Sequence, residues 1–150
     1  MTRKKANILA FSAVMLAILD GFFKYLVIKR LSIDEGRLRF PFDISLHKNP
    51  GIAFDIPIPM GIIIIATIVI SLALISFAIK YWQSKPDIST YLIIILSGAL
   101  GNMFDRIING FTTDYLIFFQ TSAINISDIL IVTGALLVFW YNTKRDGNSN

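Results

Sequence analysis

The sequence contains no cysteine and a single histidine, and only 16% of its 150 residues are charged. Without cysteine, the chain forms neither a disulfide framework nor a CxxC metal or redox site. The one histidine, His47, provides no HExxH motif and no histidine cluster for a metal, and we interpret it as a loop residue without a chemical role. Soluble domains have about a quarter of their residues charged. The scarcity of charge therefore argues against an ordinary soluble globular domain.

Long apolar runs are what the chain has in abundance. Hydrophobic residues make up 55% of the sequence, and the mean hydropathy is +0.66. A helix rises about 1.5 Å per residue, and a bilayer core is roughly 30 Å thick. Four apolar segments approach or reach the length needed to cross it: residues 6–28, 60–79, 88–104 and 124–141. The pattern predicts an all-α membrane protein with four transmembrane helices in a single domain spanning residues 1–150, of which 146–150 form a disordered tail.

The N-terminus has some features of a cleavable signal peptide, because three basic residues precede an apolar run. A signal peptide ends at a small-residue cleavage site, whereas this run continues into Asp20 and Lys24 and three further spans follow. We therefore expect the first segment to be retained as an anchor helix.

The basic residues give the orientation. Four spans place both termini on one side, where seven basic residues lie against six on the other. The positive-inside rule then favours cytoplasmic termini. The chain has a net charge of +4, and its basic residues are scattered beside the apolar spans. This distribution favours contact with an anionic membrane surface and argues against nucleic acid as a partner.

The loop between the first two spans, residues 29–59, has strand-like patterning. Polar and apolar residues alternate over 37–42 and again over 43–46, a turn signal occupies 49–51, and a short apolar run covers 52–56. We expect a small β-sheet resting on the outer membrane surface.

Polar side chains in and near the spans gather at one membrane face. Charged groups in a bilayer are costly and usually functional. With cytoplasmic termini, the following all lie toward the outer ends of their helices or in the adjoining loop: Asp20, Lys24, Asn102, Asp105, Arg106, Asp114, Asn125 and Asp128. Spacings of three and four residues place members of each group on one helix face, so three helices are predicted to present polar stripes to one pocket.

Asp114 and Asp128 are the candidate pair for acid–base chemistry. They flank a short excursion that begins and ends at the same face. If the two carboxyl groups meet, they share one proton. The ionised group then activates a water, while the protonated group polarises a carbonyl and later protonates the leaving nitrogen.

Structural roles remain open for the other polar residues. Asp20 and Lys24 form either a structural ion pair or a substrate contact. Asp105 and Arg106, at a helix end, have the alternative role of anchoring the helix at the membrane border. Asn102 and Asn125 are residues of the kind that bridge helices, and Ser97 with Gly101 is a small-residue pair suited to close helix packing. Asp128 has the weakest structural explanation, because it lies in an otherwise largely apolar segment.

Five motifs occur in order along the chain: DGFFK at 20–24, NPGIAF at 49–54, GNMFDR at 101–106, GFTTDY at 110–115 and NISD at 125–128. Together they resemble the lipoprotein signal peptidases, also called signal peptidase II, the A8 family of aspartic peptidases in bacterial inner membranes. The resemblance covers nearly the whole chain.

The resemblance implies a specific enzyme. Members of the family remove the signal peptide from prolipoproteins by cleaving before a cysteine that carries a diacylglyceryl group. The family's catalytic pair corresponds to Asp114 and Asp128, and its supporting residues correspond to Asp20, Lys24, Asn49, Gly51, Asn102, Asp105, Arg106 and Asn125. We expect Asn49 and Gly51 to close over the substrate.

The resemblance also implies the surroundings of the enzyme. Four transmembrane helices are joined by a small extracytoplasmic sheet cradle and a short extracytoplasmic helix, supplied by residues 29–59 and 107–123. The protein is expected in the bacterial cytoplasmic membrane as a monomer, with the active site at the extracytoplasmic face. It is expected to need no cofactor, to contact membrane lipid and to bind globomycin-type inhibitors.

The chain departs from the family pattern in several places. Thr112 stands where an apolar residue is customary, Ser127 where alanine is common, Ile124 where phenylalanine is frequent, and Pro50 where proline is unusual. None of these changes removes a candidate catalytic group, but they bear on substrate preference and inhibitor affinity.

Three other classes of protein are alternative interpretations of the same residues. A transporter subunit with a proton relay usually places its acids near the middle of the membrane. A presenilin-type protease carries a Gly-x-Gly-Asp motif, which neither aspartate has. A non-enzymatic assembly factor predicts that replacing either aspartate by asparagine preserves function.

Overall fold

The structure is a computed structural model and describes residues 1–30, 42–52, 56–119 and 122–147. Four helices and three strands follow one another in the order α1 (Arg3–Arg30), β1 (Phe42–Asn49), α2 (Met60–Tyr81), α3 (Pro86–Asn109), β2 (Thr112–Phe118), β3 (Ser122–Ile124) and α4 (Ile126–Gly147). All four helices are long and apolar enough to cross a membrane. The predicted four-helix membrane fold with a small sheet is confirmed.

The outward surfaces of the helices are apolar. Phe11 of α1, Ile79 of α2 and Phe139 of α4 are each at least two-thirds exposed. Apolar side chains at such exposure are unfavourable in water and favourable against lipid tails. The buried centre instead contains many small and polar side chains, which is typical of membrane helix bundles.

Close packing between α3 and α4 depends on Gly101. A Cβ atom added at this glycine would lie 2.4 Å from Ser127 Oγ on α4. Its predicted partner Ser97 instead donates a hydrogen bond to Ile93 O within its own helix. The small-residue prediction therefore holds for Gly101 as a packing site against α4.

The three strands form one antiparallel sheet in the order β1-β2-β3. Asn49 lies opposite Thr112 and His47 opposite Asp114. The alternation predicted at 43–46 falls within β1, whereas 37–41 and 53–55, which carry most of the other two strand predictions, lie outside the described residues. His47 lies in a strand and not in a loop.

Several boundaries differ from those predicted. The third span continues beyond Phe104 to Asn109, and the fourth helix begins at Ile126 and not at 124. In the segment 107–123, where part of the extracytoplasmic elements was expected, the described residues form the end of α3 and strand residues, with no separate short helix. Thr112, Thr113 and Tyr115 are β-branched or aromatic residues that favour strands.

The N-terminus contacts α3, and α4 continues close to the C-terminus. The N-terminal ammonium pairs with Asp87 at 3.0 Å, so it lies beside the start of α3. At the other end, α4 extends through 146 and 147, which were predicted to be disordered, and 148–150 lie outside the described residues.

Candidate active site

A cavity of about 530 Å³ lies between the sheet and the helices α2, α3 and α4. Both Asp114 on β2 and Asp128 in the first turn of α4 line it. Thr67, Ala99, Ile131 and Val132 form part of its wall on the membrane helices. The cavity therefore joins two carboxyl groups to a partly apolar space among the spans.

Asp114 is held by two side-chain amides. Asn49 Nδ2 donates to Asp114 Oδ2 at 3.1 Å, and Asn125 Nδ2 donates to Asp114 Oδ1 at 2.6 Å. Burial and the nearby charge of Asp128 raise the pKa of Asp114 to about 6, against the opposing effect of the two amides and Lys24. A carboxyl group with this pKa gains and loses its proton near neutral pH.

Asp128 is held by a reciprocal cap at the start of α4. Asp128 N donates to Asn125 Oδ1 at 2.9 Å, while Asn125 N donates to Asp128 Oδ2 at 3.2 Å. This is the capping-box arrangement, in which residues three apart satisfy each other's backbone groups. Asn125 thus lies before the helix, so the predicted shared helix face of Asn125 and Asp128 is replaced by a cap. The other oxygen, Asp128 Oδ1, accepts a bond of 2.7 Å from Asn102 Nδ2.

A buried cation lies behind Asn102. Lys24 Nζ donates to Asn102 Oδ1 at 2.6 Å and pairs with Asp20 at 3.0 Å and Asp105 at 3.6 Å. Because the lysine fixes the amide oxygen of Asn102, the amide nitrogen of Asn102 is directed to Asp128. The predicted pairing of Asp20 with Lys24 is confirmed.

Asp20 joins α1 to the start of α4. It accepts hydrogen bonds from Tyr115 Oη at 2.7 Å, Ile126 N at 3.1 Å and Ser127 Oγ at 2.6 Å. The side chain is fully buried and is not among the cavity-lining groups. The geometry favours the ion-pair interpretation of Asp20 over a substrate contact.

Asp105 joins α3 to β2. It accepts hydrogen bonds from Thr113 N at 2.6 Å, Thr113 Oγ1 at 3.3 Å and Asn109 Nδ2 at 2.6 Å. Strand side chains alternate between faces, so Thr113 and Tyr115 bind these acids behind β2 while Asp114 faces the cavity. This packing replaces the border-anchor interpretation of Asp105.

Arg106 and Gly51 connect the cavity to the loop after β1. Arg106 Nη2 donates to Gly51 O at 3.2 Å, and Gly51 N donates to Asn49 Oδ1 at 2.9 Å. A Cβ atom at position 51 would lie 1.9 Å from Ile56 O, so only glycine fits. The bonds made by Gly51 orient Asn49 toward Asp114.

Of the ten predicted site residues, five line the cavity: Asn49, Asn102, Arg106, Asp114 and Asp128. The other five do not line it but form hydrogen bonds or ion pairs with the lining residues or with one another: Asp20, Lys24, Gly51, Asp105 and Asn125.

Five residues of this network were not among the ten predicted site residues. Thr112 and His47 line the cavity, and Thr113, Tyr115 and Ser127 bind the supporting acids. Alternation of side chains along a strand through Asp114 was a signal that could have identified the β2 members. Within the described ranges, no group of three His, Cys, Asp or Glu side chains is arranged to hold a metal ion.

The amino-acid sequence is similar to those of known proteins. A family model described as "Signal peptidase (SPase) II" matches residues 12–144. A lipoprotein signal peptidase of Clostridium tetani is 32% identical over 138 residues, covering 87% of this chain and 88% of the relative. The corresponding protein of Halothermothrix orenii is 34% identical over 138 residues, with 89% and 93% covered.

A solved structure agrees with these relatives. A bacterial membrane enzyme solved by the in meso method at 2.3 Å resolution superposes with a TM-score of 0.85 at 26% identity, covering 98% of this chain and 92% of that one. The four-span fold, the family match and the relatives converge on one conclusion: the chain belongs to the signal peptidase II family and is an aspartic peptidase of that type.

Proposed function

We propose that this protein removes the signal peptide from diacylglyceryl-modified prolipoproteins by cleaving before the lipidated cysteine, with Asp114 and Asp128 as the catalytic pair. The observation that carries the proposal is that both carboxyl groups line one cavity, from two different elements. The cavity extends among membrane helices, where a lipid-anchored substrate has to be bound.

The charge balance around the pair favours a shared proton. Lys24 already pairs with Asp20 and Asp105, and Arg106 is the second cation facing this group of acids. Four carboxyl groups and two cations lie in this region, and most of them are buried. Retaining one proton on the pair lowers the repulsion between them.

The chemistry follows from that proton. The ionised carboxylate takes a proton from water as the water attacks the scissile carbonyl carbon, and the protonated carboxyl group donates to the carbonyl oxygen. The attacked carbon becomes tetrahedral. Proton transfer to the nitrogen then releases the signal peptide. The side-chain amides of Asn49, Asn102 and Asn125 hold both carboxyl groups in place.

The lining of the same cavity supports the proposed substrate. The apolar wall formed by Ala99, Ile131 and Val132 suits a signal helix, an acyl chain or a globomycin-type inhibitor. The enzyme acts as a monomer in the bacterial cytoplasmic membrane, with both termini in the cytoplasm and the cavity at the extracytoplasmic face. Prolipoproteins and membrane lipid are then its partners.

The test uses the full-length protein in detergent or lipid with a diacylglyceryl-modified precursor peptide and its unlipidated counterpart. Asp114→Asn and Asp128→Asn should each lower cleavage about a thousandfold or more, since each removes a group needed in the transition state. Asp43→Asn is the matched control, because Asp43 lies on the same sheet but does not line the cavity. Cleavage that survives either asparagine variant would exclude this pair. Failure of the folded wild-type protein to cleave the lipidated precursor would contradict the proposed substrate.

A further inference from the structure

Two residues that line the cavity each have a buried polar atom with no hydrogen-bond partner within the described residues: Thr112 at Oγ1 and Arg106 at Nε. Thr112 is only 1% exposed. A buried polar group without a partner is costly, typically by about 1–3 kcal/mol. A partner supplied by a bound substrate would satisfy such a group.

The position of Thr112 connects it to the candidate catalytic pair. Thr112 and Asp114 are two residues apart on β2, so their side chains point to the same face, and both line the cavity. Directly opposite them on β1 lie Asn49 and His47, which also line it. At about 3.3 Å per residue, Thr112 is roughly 6.6 Å along the strand from Asp114.

The chemistry of the two atoms defines the kind of partner that would satisfy them. Arginine Nε only donates, and a threonine hydroxyl donates or accepts, so both are satisfied by an acceptor oxygen. An extended peptide presents carbonyl groups on one side at every second residue, which is the same interval of about 6.6 Å. A peptide whose scissile carbonyl lies at Asp114 therefore has another carbonyl near Thr112.

We propose that Thr112 is a substrate-binding residue whose hydroxyl donates a hydrogen bond to a backbone carbonyl of the bound precursor, about two residues from the scissile bond. This assignment rests on the proposed function. The contact fixes the register of the peptide on the catalytic pair.

The test compares Thr112→Val and Thr112→Ala, which lack the hydroxyl, with Thr112→Ser, which keeps it. Because Oγ1 has no hydrogen-bond partner among the residues that the structure describes, Thr112→Val should not lower the melting temperature. Cleavage of the lipidated precursor should nevertheless fall about tenfold in kcat/KM, chiefly through KM, in the valine and alanine variants. The serine variant should stay within about twofold of the wild type. The alanine variant keeps the test decisive if valine does not fit.

The outcomes separate the sources of the carbonyl. The same variants are assayed on a precursor whose acyl chains are joined by ethers, which have no ester carbonyl. A tenfold loss that persists on this precursor supports a peptide carbonyl, and a loss that disappears places the contact on the lipid ester and overturns the assignment. Wild-type kcat/KM in Thr112→Val, or a loss confined to kcat, also overturns it. In each case wild-type cleavage is measured alongside, so failure of the proposed function is recognised separately.

Discussion

Asn125 donates a hydrogen bond of 2.6 Å from its side-chain amide to Asp114 Oδ1. The same side chain, through its oxygen, caps the helix that carries Asp128. One asparagine therefore sets the position of both candidate catalytic acids. Its two functions involve different atoms, which makes them separable by mutation.

Asn125→Ser separates these functions, with Asn125→Ala as its partner variant. Serine is a good N-cap and keeps the acceptor for Asp128 N, whereas alanine removes it and costs about 1 kcal/mol. Both variants lose the donor to Asp114, so both should lose about a hundredfold or more in kcat/KM. Only the alanine variant should also show a lower melting temperature. Wild-type activity in the serine variant would contradict a positioning role for the amide.

The pH dependence of cleavage should follow the proton shared by the pair. Asp114 has its pKa raised to about 6 by burial and by the charge of Asp128, so the proton is lost as pH rises through that region and kcat/KM should decline. The hydrogen bond from Asn49 lowers the pKa of Asp114. Asn49→Ala should therefore move the descending limb to higher pH, besides lowering the maximum rate. A limb that stays in place or moves to lower pH would show that Asp114 does not govern it.

Removing the buried lysine should destabilise the protein. In Lys24→Met, the carboxylates of Asp20 and Asp105 lose the cation that lies 3.0 and 3.6 Å from them. Leaving buried charges unpaired typically costs about 3–5 kcal/mol. Lys29→Met is the control, because Lys29 is exposed one turn further along the same helix. Thermal unfolding in detergent should show a clear loss for Lys24→Met and little change for Lys29→Met; equal stability of the two variants would refute the structural role of Lys24.

The contact of α3 with α4 is tested by two glycines. Gly101→Ala brings a methyl group against Ser127 Oγ, the donor to Asp20, and should destabilise the fold by about 1–3 kcal/mol. Gly21→Ala meets nothing within 4 Å and should be neutral or stabilising, because alanine favours helices by about 1 kcal/mol over glycine. Melting temperatures in detergent decide the matter, and a stable Gly101→Ala protein would mean that Ser127 adjusts without cost.

The absence of native cysteine makes the orientation testable with single cysteines. Lys48→Cys in β1 and Ser84→Cys between α2 and α3 are both at exposed positions. With cytoplasmic termini, a membrane-impermeant maleimide should label Lys48→Cys in intact cells and Ser84→Cys only after permeabilisation. The opposite pattern would invert the proposed topology.

The features of the fold that could be predicted depend on short stretches of sequence. Hydropathy over about twenty residues located the four spans. Because charge in lipid is costly, Asp20, Lys24 and Asp128 were predicted to have a functional or structural role. The boundaries were less accurate, because α3 continues through Asp105 and Arg106 and α4 begins two residues late. Charged residues near a helix end lower local hydropathy without ending the helix, particularly when buried partners such as Lys24 balance them.

Composition and residue spacing were enough to predict the membrane class, the gathering of polar groups at one end and the candidate aspartates, because these depend on residue types and their order along the chain. The partners of the polar groups depend on the packing of distant elements. Asp20 binds Tyr115 and Ser127, which are 95 and 107 residues away. Which face of β2 meets α1, and which atom of Asn102 faces Lys24, depends on how helices pack across the whole chain. Hydrogen bonds act over about 3 Å, so their partners follow from that packing and not from local periodicity.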